Sequence, residues 1–262
     1  MPEPSRFFDV GAGGHMELDL RRDGARFQIL RPFGYRDPRF REPFVVPADI
    51  ARFRTDLASI PWVFAWLVPG LGSHLPAVLL HDGLVVGKTE GKTHLGPDVT
   101  REEADGILRD AMANLGVPLI RRWLMWTAVI LATALSTLRP RWYWIGVVAL
   151  TLLGVATLGV LATLDVADVW DVLPWLGDRP WYVELLAGAI FAVLVPLVLS
   201  LLWRRLWKAG AIAGVALAFL LHVTVAVIIV GGIYWIAEKV VSAPEGHSPN
   251  VRENLDKVEP AA

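Results

Sequence analysis

Three short pieces of the chain carry side chains able to do chemistry. They are His81-Asp82 inside the apolar run Ala77-Val78-Leu79-Leu80-His81-Asp82-Gly83-Leu84-Val85, then Arg101 and Asp105 further on, and the turn Thr55-Asp56-Leu57-Ala58-Ser59-Ile60-Pro61. An adjacent histidine and aspartate are costly to bury unless both are hydrogen-bonded. Asp105 is close enough in sequence for the next helix to pack back and bring its carboxylate to the imidazole. Residue types alone leave two uses open. One is a buried polar network that fixes a helix pair, with Asp56 and Ser59 capping the turn before Pro61. The other is a divalent-metal hydrolase site made of His74, His81, Asp82 and Asp105, since imidazole and carboxylate together suit a hydrolytic metal. His94, in the loop from Gly87 to Asp98, is expected to face solvent.

The elements that must position these groups are legible as patterns. Between Gly14 and Val46, short alternating stretches such as Met16-Glu17-Leu18-Asp19-Leu20 and Phe27-Gln28-Ile29-Leu30, separated by Arg22-Asp23-Gly24, predict a small antiparallel sheet. Leu75 to Val85 suits a buried helix. Thr100 to Leu115 predicts a second, opened by a Thr100/Glu103 capping box and carrying Ala104, Ile107, Leu108, Ala111 and Met112 on one face. The arginines between Arg21 and Arg54, offset by Asp19, Asp23, Asp37, Glu42 and Asp49, read as solvated surface.

Composition sets the frame. Of 262 residues, 54% are apolar and 12 are tryptophan, with a positive mean hydropathy, which argues against an ordinary soluble protein. A net charge of -1 argues against nucleic acid as the main partner. With no cysteine, disulfides, thiolate metal sites and cysteine nucleophiles are excluded. The N-terminal Met-Pro-Glu-Pro-Ser-Arg-Phe-Phe shows no secretory signal pattern.

A spanning helix needs about 20 apolar residues. Trp142–Leu164, Leu185–Trp203 and Ala209–Ala237 meet this and are flanked by aromatic belts. Trp123–Leu138, at about 16 residues, suits an interfacial or domain-packing helix better than a span. The expected architecture is α+β: a small antiparallel sheet plus a packed helix pair in residues 1–122, a connecting or interfacial helix in 123–141, and an all-α transmembrane bundle in 142–237. The bundle has three helices (142–164, 185–203, 209–237), or four if the connecting helix also spans. The polar tail 238–262 is expected to be disordered. Arg121, Arg122, Arg139 and Arg141 before the first span, with Arg204, Arg205 and Lys208 before the third, predict a cytoplasmic soluble part; Asp165, Asp168, Asp171, Asp178 and Glu184 crowd the opposite loop. Gly210 and Gly214 form a Gly-x-x-x-Gly pair suited to close packing or to a homo-oligomer. His222 is the ionisable residue of the third span, read as a neutral imidazole bonded within the bundle.

The run Val45-Val46-Pro47, Arg54-Thr55-Asp56-Leu57-Ala58-Ser59-Ile60-Pro61, His81-Asp82, Arg101-x-x-Ala104-Asp105 and Met112 resembles the phage and bacterial family called domain of unknown function 1353, over about residues 15–130. That resemblance implies no activity. The layout of His-Asp on one helix and Asp on the next is also similar to that of phospholipase A2 enzymes, although Val85 stands where those enzymes carry a tyrosine. This second resemblance implies that His81 is a general base for water, that Asp105 orients its imidazole, and that Asp82 binds calcium with carbonyls from Gly70 and Gly72. Thr55, Asp56, Ser59 and Arg101 would then support the site or bind substrate. A histidine whose tautomer is fixed by a carboxylate can take a proton from water near neutral pH. The expectation is therefore a membrane-anchored hydrolase-like domain cleaving lipid esters, with the bilayer as partner, phospholipid as substrate and Ca2+ as cofactor. The alternatives are a non-enzymatic, phage-derived interaction module whose His/Asp network is structural, and the metal hydrolase above.

Overall fold

The computed structural model describes residues 5–11, 16–24, 26–57, 67, 71–85, 93–174 and 179–242. Two small antiparallel sheets come first. Strands β1 (Phe7–Asp9), β4 (Phe33–Tyr35) and β5 (Phe44–Val46) form one sheet in the order β1-β4-β5, and β2 (Leu20–Asp23) and β3 (Arg26–Ile29) form a hairpin. Leu20 pairs with Ile29 and Asp23 with Arg26, so the turn falls at Gly24, whose φ of 64° suits a residue without a side chain. β1 lies ahead of the stretch in which the alternation is visible, and two sheets replace the one expected.

Helices α1 (Leu75–Val85) and α2 (Arg101–Asn114) then follow with the predicted bounds to within a residue. α1 is buried almost all round because the sheet lies against one side and α2 against another. Gly83 lets it approach β5 so closely that a Cβ there would meet the Val46 side chain at 2.6 Å. α2 begins with both halves of the capping box: Glu103 N–H donates to Thr100 Oγ1 at 3.2 Å, and Thr100 N–H donates to Glu103 Oε2 at 2.7 Å. The Thr100 N–H, with the Thr100 hydroxyl at 2.8 Å from the same oxygen, holds the Glu103 carboxyl below its ordinary range. Phe33, Tyr35, Phe44 and Val46 from the sheet, Leu79 and Leu80 from α1, and Ile107, Leu108 and Met112 from α2 make one core.

Helix α3 (Leu119–Ser136) joins this core to a second cluster. Met125 belongs to the first, while Trp126, Ile130 and Ala134 pack with Trp144, Val147 and Val148 of α4 (Arg141–Val166) and with Trp203, Leu206 and Ala209. α5 (Trp181–Ser200) passes through a 3-10 turn, Leu201–Leu206, into α6 (Trp207–Ser242). The break is at Arg204, whose φ of 52° and ψ of -122° are not helical. Leu119–Ser136, Arg141–Val166 and Trp181–Val241 are each long and apolar enough to cross a membrane by length and composition, as in a membrane protein. The last of these is α5 and α6 together.

Gly210 and Gly214 are used inside the chain. A Cβ at Gly210 would meet the Trp203 ring at 2.5 Å, and one at Gly214 would meet Pro196 at 2.7 Å. Trp203 is fully buried there, and its Nε1–H donates to Thr151 Oγ1 of α4 at 2.9 Å. By its contacts the chain divides into Met1–Leu221 and His222–Ala262. In the second part α6 continues as helix to Ser242, beyond the expected start of the tail at 238, and Lys239 lies over the Trp235 ring at 4.4 Å. The remainder of the tail lies outside the described residues.

Candidate functional site

His81 and Asp82 sit near the C-terminal end of α1. Neighbours on an α-helix point roughly 100° apart, and the two side chains take different partners. His81 faces α2, where its Nε2 lies 2.7 Å from Asp105 Oδ1. Both residues are buried, His81 at 6% exposure and Asp105 at 0%. The second Asp105 oxygen accepts the Thr133 hydroxyl of α3 at 2.7 Å, and Thr133 Oγ1 accepts Arg101 Nε–H at 3.2 Å. An ionised carboxylate only accepts, so Asp105 draws the ring proton to Nε2 and leaves Nδ1 as the ring's basic nitrogen.

Asp82 turns to the other side. Its Oδ2 accepts the Thr55 hydroxyl at 2.6 Å, and Thr55 Oγ1 in turn accepts Leu57 N–H at 2.9 Å. Thr55 is itself held by paired backbone bonds with Phe27, at 2.7 and 2.9 Å. Leu57 has φ 65°, a left-handed conformation that costs a side chain about 1–2 kcal/mol. Burial pushes the Asp82 carboxyl up to about 6, against the Thr55 hydrogen bond and the charge of His81, with Asp56 adding to the rise.

The structure thus brings together His81, Asp105 and Arg101 through Thr133, and separately Asp82 with Thr55 and, electrostatically, Asp56. Ser59 and Gly70 lie outside the described residues. Gly72 is not at the carboxylates. Its carbonyl accepts Leu75 N–H at the start of α1, seven residues before Asp82, or about 10 Å along the axis. That exceeds what one calcium ion with 2.3–2.6 Å bonds can bridge. His74 immediately precedes α1, seven residues and again about 10 Å before His81, so the set His74, His81, Asp82 and Asp105 does not converge. Among the described residues no three His, Asp or Glu side chains form a group able to hold a metal ion.

Two other expectations are corrected. His94 is buried rather than solvent-facing: Nδ1 lies 3.2 Å from the Gly83 carbonyl and Nε2 3.1 Å from that of Pro97, which ties its loop to the end of α1. Asp37, read as solvated, is buried and clamped by Arg39 through bonds of 2.8 and 2.6 Å.

Over residues 27–129 the chain matches the family model described as protein of unknown function (DUF1353). No curated protein and no solved structure matches the chain. The DUF1353 match starts in β3 and ends within α3, so it takes in Thr55, His81, Asp82, Arg101 and Asp105 and stops just short of Thr133. Thr133 is the member that sequence reasoning missed. Its signal is a hydroxyl on the mainly apolar buried face of α3, beside Ile130 and Ala134.

Proposed function

We propose that the protein is a membrane-anchored hydrolase-like domain in which His81, held by Asp105, acts as general base for water in the cleavage of a lipid ester. One observation carries this: the 2.7 Å contact between His81 Nε2 and Asp105 Oδ1, which leaves Nδ1 to act as base. In the step, a water proton passes to Nδ1 and the oxygen adds to the ester carbonyl carbon. The tetrahedral intermediate then expels the alkoxide, which takes the proton back from the imidazolium. The division into residues 1–122, a connecting helix and spans formed by α4, α5 and α6 belongs to the same proposal. Helix α3, packed on α2, then lies at the bilayer surface. Arg139, Arg141, Arg204, Arg205 and Lys208 support a cytoplasmic site.

Fatty acid release from phospholipid vesicles containing the full chain tests the reading. His81→Ala is expected to lower the rate by about 10²–10⁴-fold, and Asp105→Asn to lower it in the same direction by misplacing the ring proton. Equal release by wild type and His81→Ala would sink it. Chelation in the same assay decides the calcium requirement: activity lost with chelator and restored by calcium would give Asp82 and Gly70 the ligand roles first expected of them.

The burial of His81 and Asp105, with both Asp105 oxygens bonded, favours a second reading. There the network fixes α1, α2 and α3 in an interaction module without turnover. A fall in thermal stability for Asp105→Asn, with no esterase activity to lose, would identify it.

A further inference from the structure

At one end of the apolar helices, the link between α3 and α4 meets the break between α5 and α6 and forms with it an open cavity of about 420 Å³ lined by Arg139, Pro140, Tyr143, Trp144, Arg204 and Arg205. That volume is in the range of small-molecule sites, roughly 300–1,000 Å³. The Tyr143 hydroxyl is spent on the Leu202 carbonyl, and the charged side chains on the wall are all guanidinium. Arg205 is paired with Glu102 of α2. Among the described residues neither Arg139 nor Arg204 has a carboxylate partner. The wall therefore carries a surplus of positive charge beside the first turn of α4, where the helix dipole also favours an anion. Arg204 reaches this wall from its non-helical backbone, strain that the fold retains inside the 3-10 turn between α5 and α6.

We propose that this cavity binds the phosphate of an anionic phospholipid headgroup. Guanidinium groups suit phosphate oxygens because their planar forks donate in pairs. What favours lipid over free phosphate is the adjoining surface. Trp142 and Ile145 on α4, and Val198, Leu201 and Leu202 at the end of α5, are exposed apolar side chains next to the basic wall, placed to meet acyl chains. The site stands whether or not His81 is a base. It is joined to the candidate site through α2, where Arg205 holds Glu102 and the adjacent Arg101 holds Thr133, and through α3, which carries Thr133 and packs on Trp144.

The full chain in neutral detergent, unfolded by heat with tryptophan fluorescence as readout, provides the test. Phosphatidylglycerol is expected to raise the midpoint saturably, while phosphatidylcholine and inorganic phosphate at the same concentrations do not. Arg139→Gln/Arg204→Gln should need about tenfold more phosphatidylglycerol for half the effect, each shift being taken from the variant's own lipid-free midpoint. Arg52→Gln, an exposed charge elsewhere, should behave as wild type. If the double variant does not fold, Arg139→Gln alone, which leaves the Arg204 backbone intact, is expected to weaken the response severalfold. Equal protection by both lipids, or an undiminished response in the variants, overturns the site. Equal protection by inorganic phosphate overturns the lipid assignment and leaves a free-phosphate site.

Discussion

Leu79 and Leu80 of α1 have no exposed surface, whereas Leu153 of α4 and Leu186 of α5 are 67% and 63% exposed. All four lie in strongly apolar helices without an amphipathic stripe. α1 has the sheet, α2 and Val46 around it, so its leucines are covered by the chain itself. α4 and α5 have chain on one side only, and their remaining faces need a non-aqueous surrounding. Polar groups divide the same way. Around α1 they are ionisable and bonded across three helices, from His81 through Asp105 and Thr133 to Arg101. Between α4 and the turn after α5 the links are neutral, Trp203 to Thr151 and Tyr143 to the Leu202 carbonyl. A uniformly apolar helix thus states that its whole surface must leave water, but not what will cover it.

The largest test of this contrast is a matched pair. Leu79→Ala should destabilise the chain by about 2–5 kcal/mol through lost burial and a cavity, while Leu186→Ala in detergent should stay within about 0.5 kcal/mol. Comparable losses in thermal unfolding would mean that α5 is covered by protein after all. A smaller effect separates the ionisable groups of α1 from the neutral links. The folded Asp82 carboxyl, at about 6 against an ordinary 3.8, binds its proton more tightly than the unfolded chain does. Stability contributed by that proton is therefore present below about pH 4 and falls as pH rises towards 6, by up to about 3 kcal/mol. Midpoints measured across this window should decline in wild type and stay flatter in Asp82→Asn. Parallel profiles would remove Asp82 as the cause. Smallest of all, Trp203→Phe should cost about 1 kcal/mol for the lost bond to Thr151, and Thr151→Val about the same. A double variant no worse than either single one would show that the two losses are the same bond.

Much of this was readable without coordinates. The Thr100/Glu103 box and the apolar face from Ala104 to Met112 set α2, because capping and 3.6-residue periodicity are local. Asp105 as the partner of His81 was reachable too, since two short consecutive helices pack together. The reach of α3 into the candidate site was not. Thr133 lies in a stretch whose composition resembles a membrane helix, and its hydroxyl acquires meaning only once α2 is placed against it. His94 and Asp37 look like solvated loop residues until the carbonyls and the arginine that satisfy them are in position.

The sequence by itself determined which segments must leave water, where the helices around the site begin and end, and that His81 would require a carboxylate. The tertiary structure decided that His81 and Asp82, adjacent in the chain, serve different partners, and that Gly72 and His74 stand about two helical turns from the groups they were expected to join. It also decided that Arg139 and Arg204, far apart in sequence, line one cavity. The reason is geometric: residue type and local periodicity fix what a side chain needs, while the direction in which a helix presents it, and the element packed there, depend on contacts between distant parts of the chain.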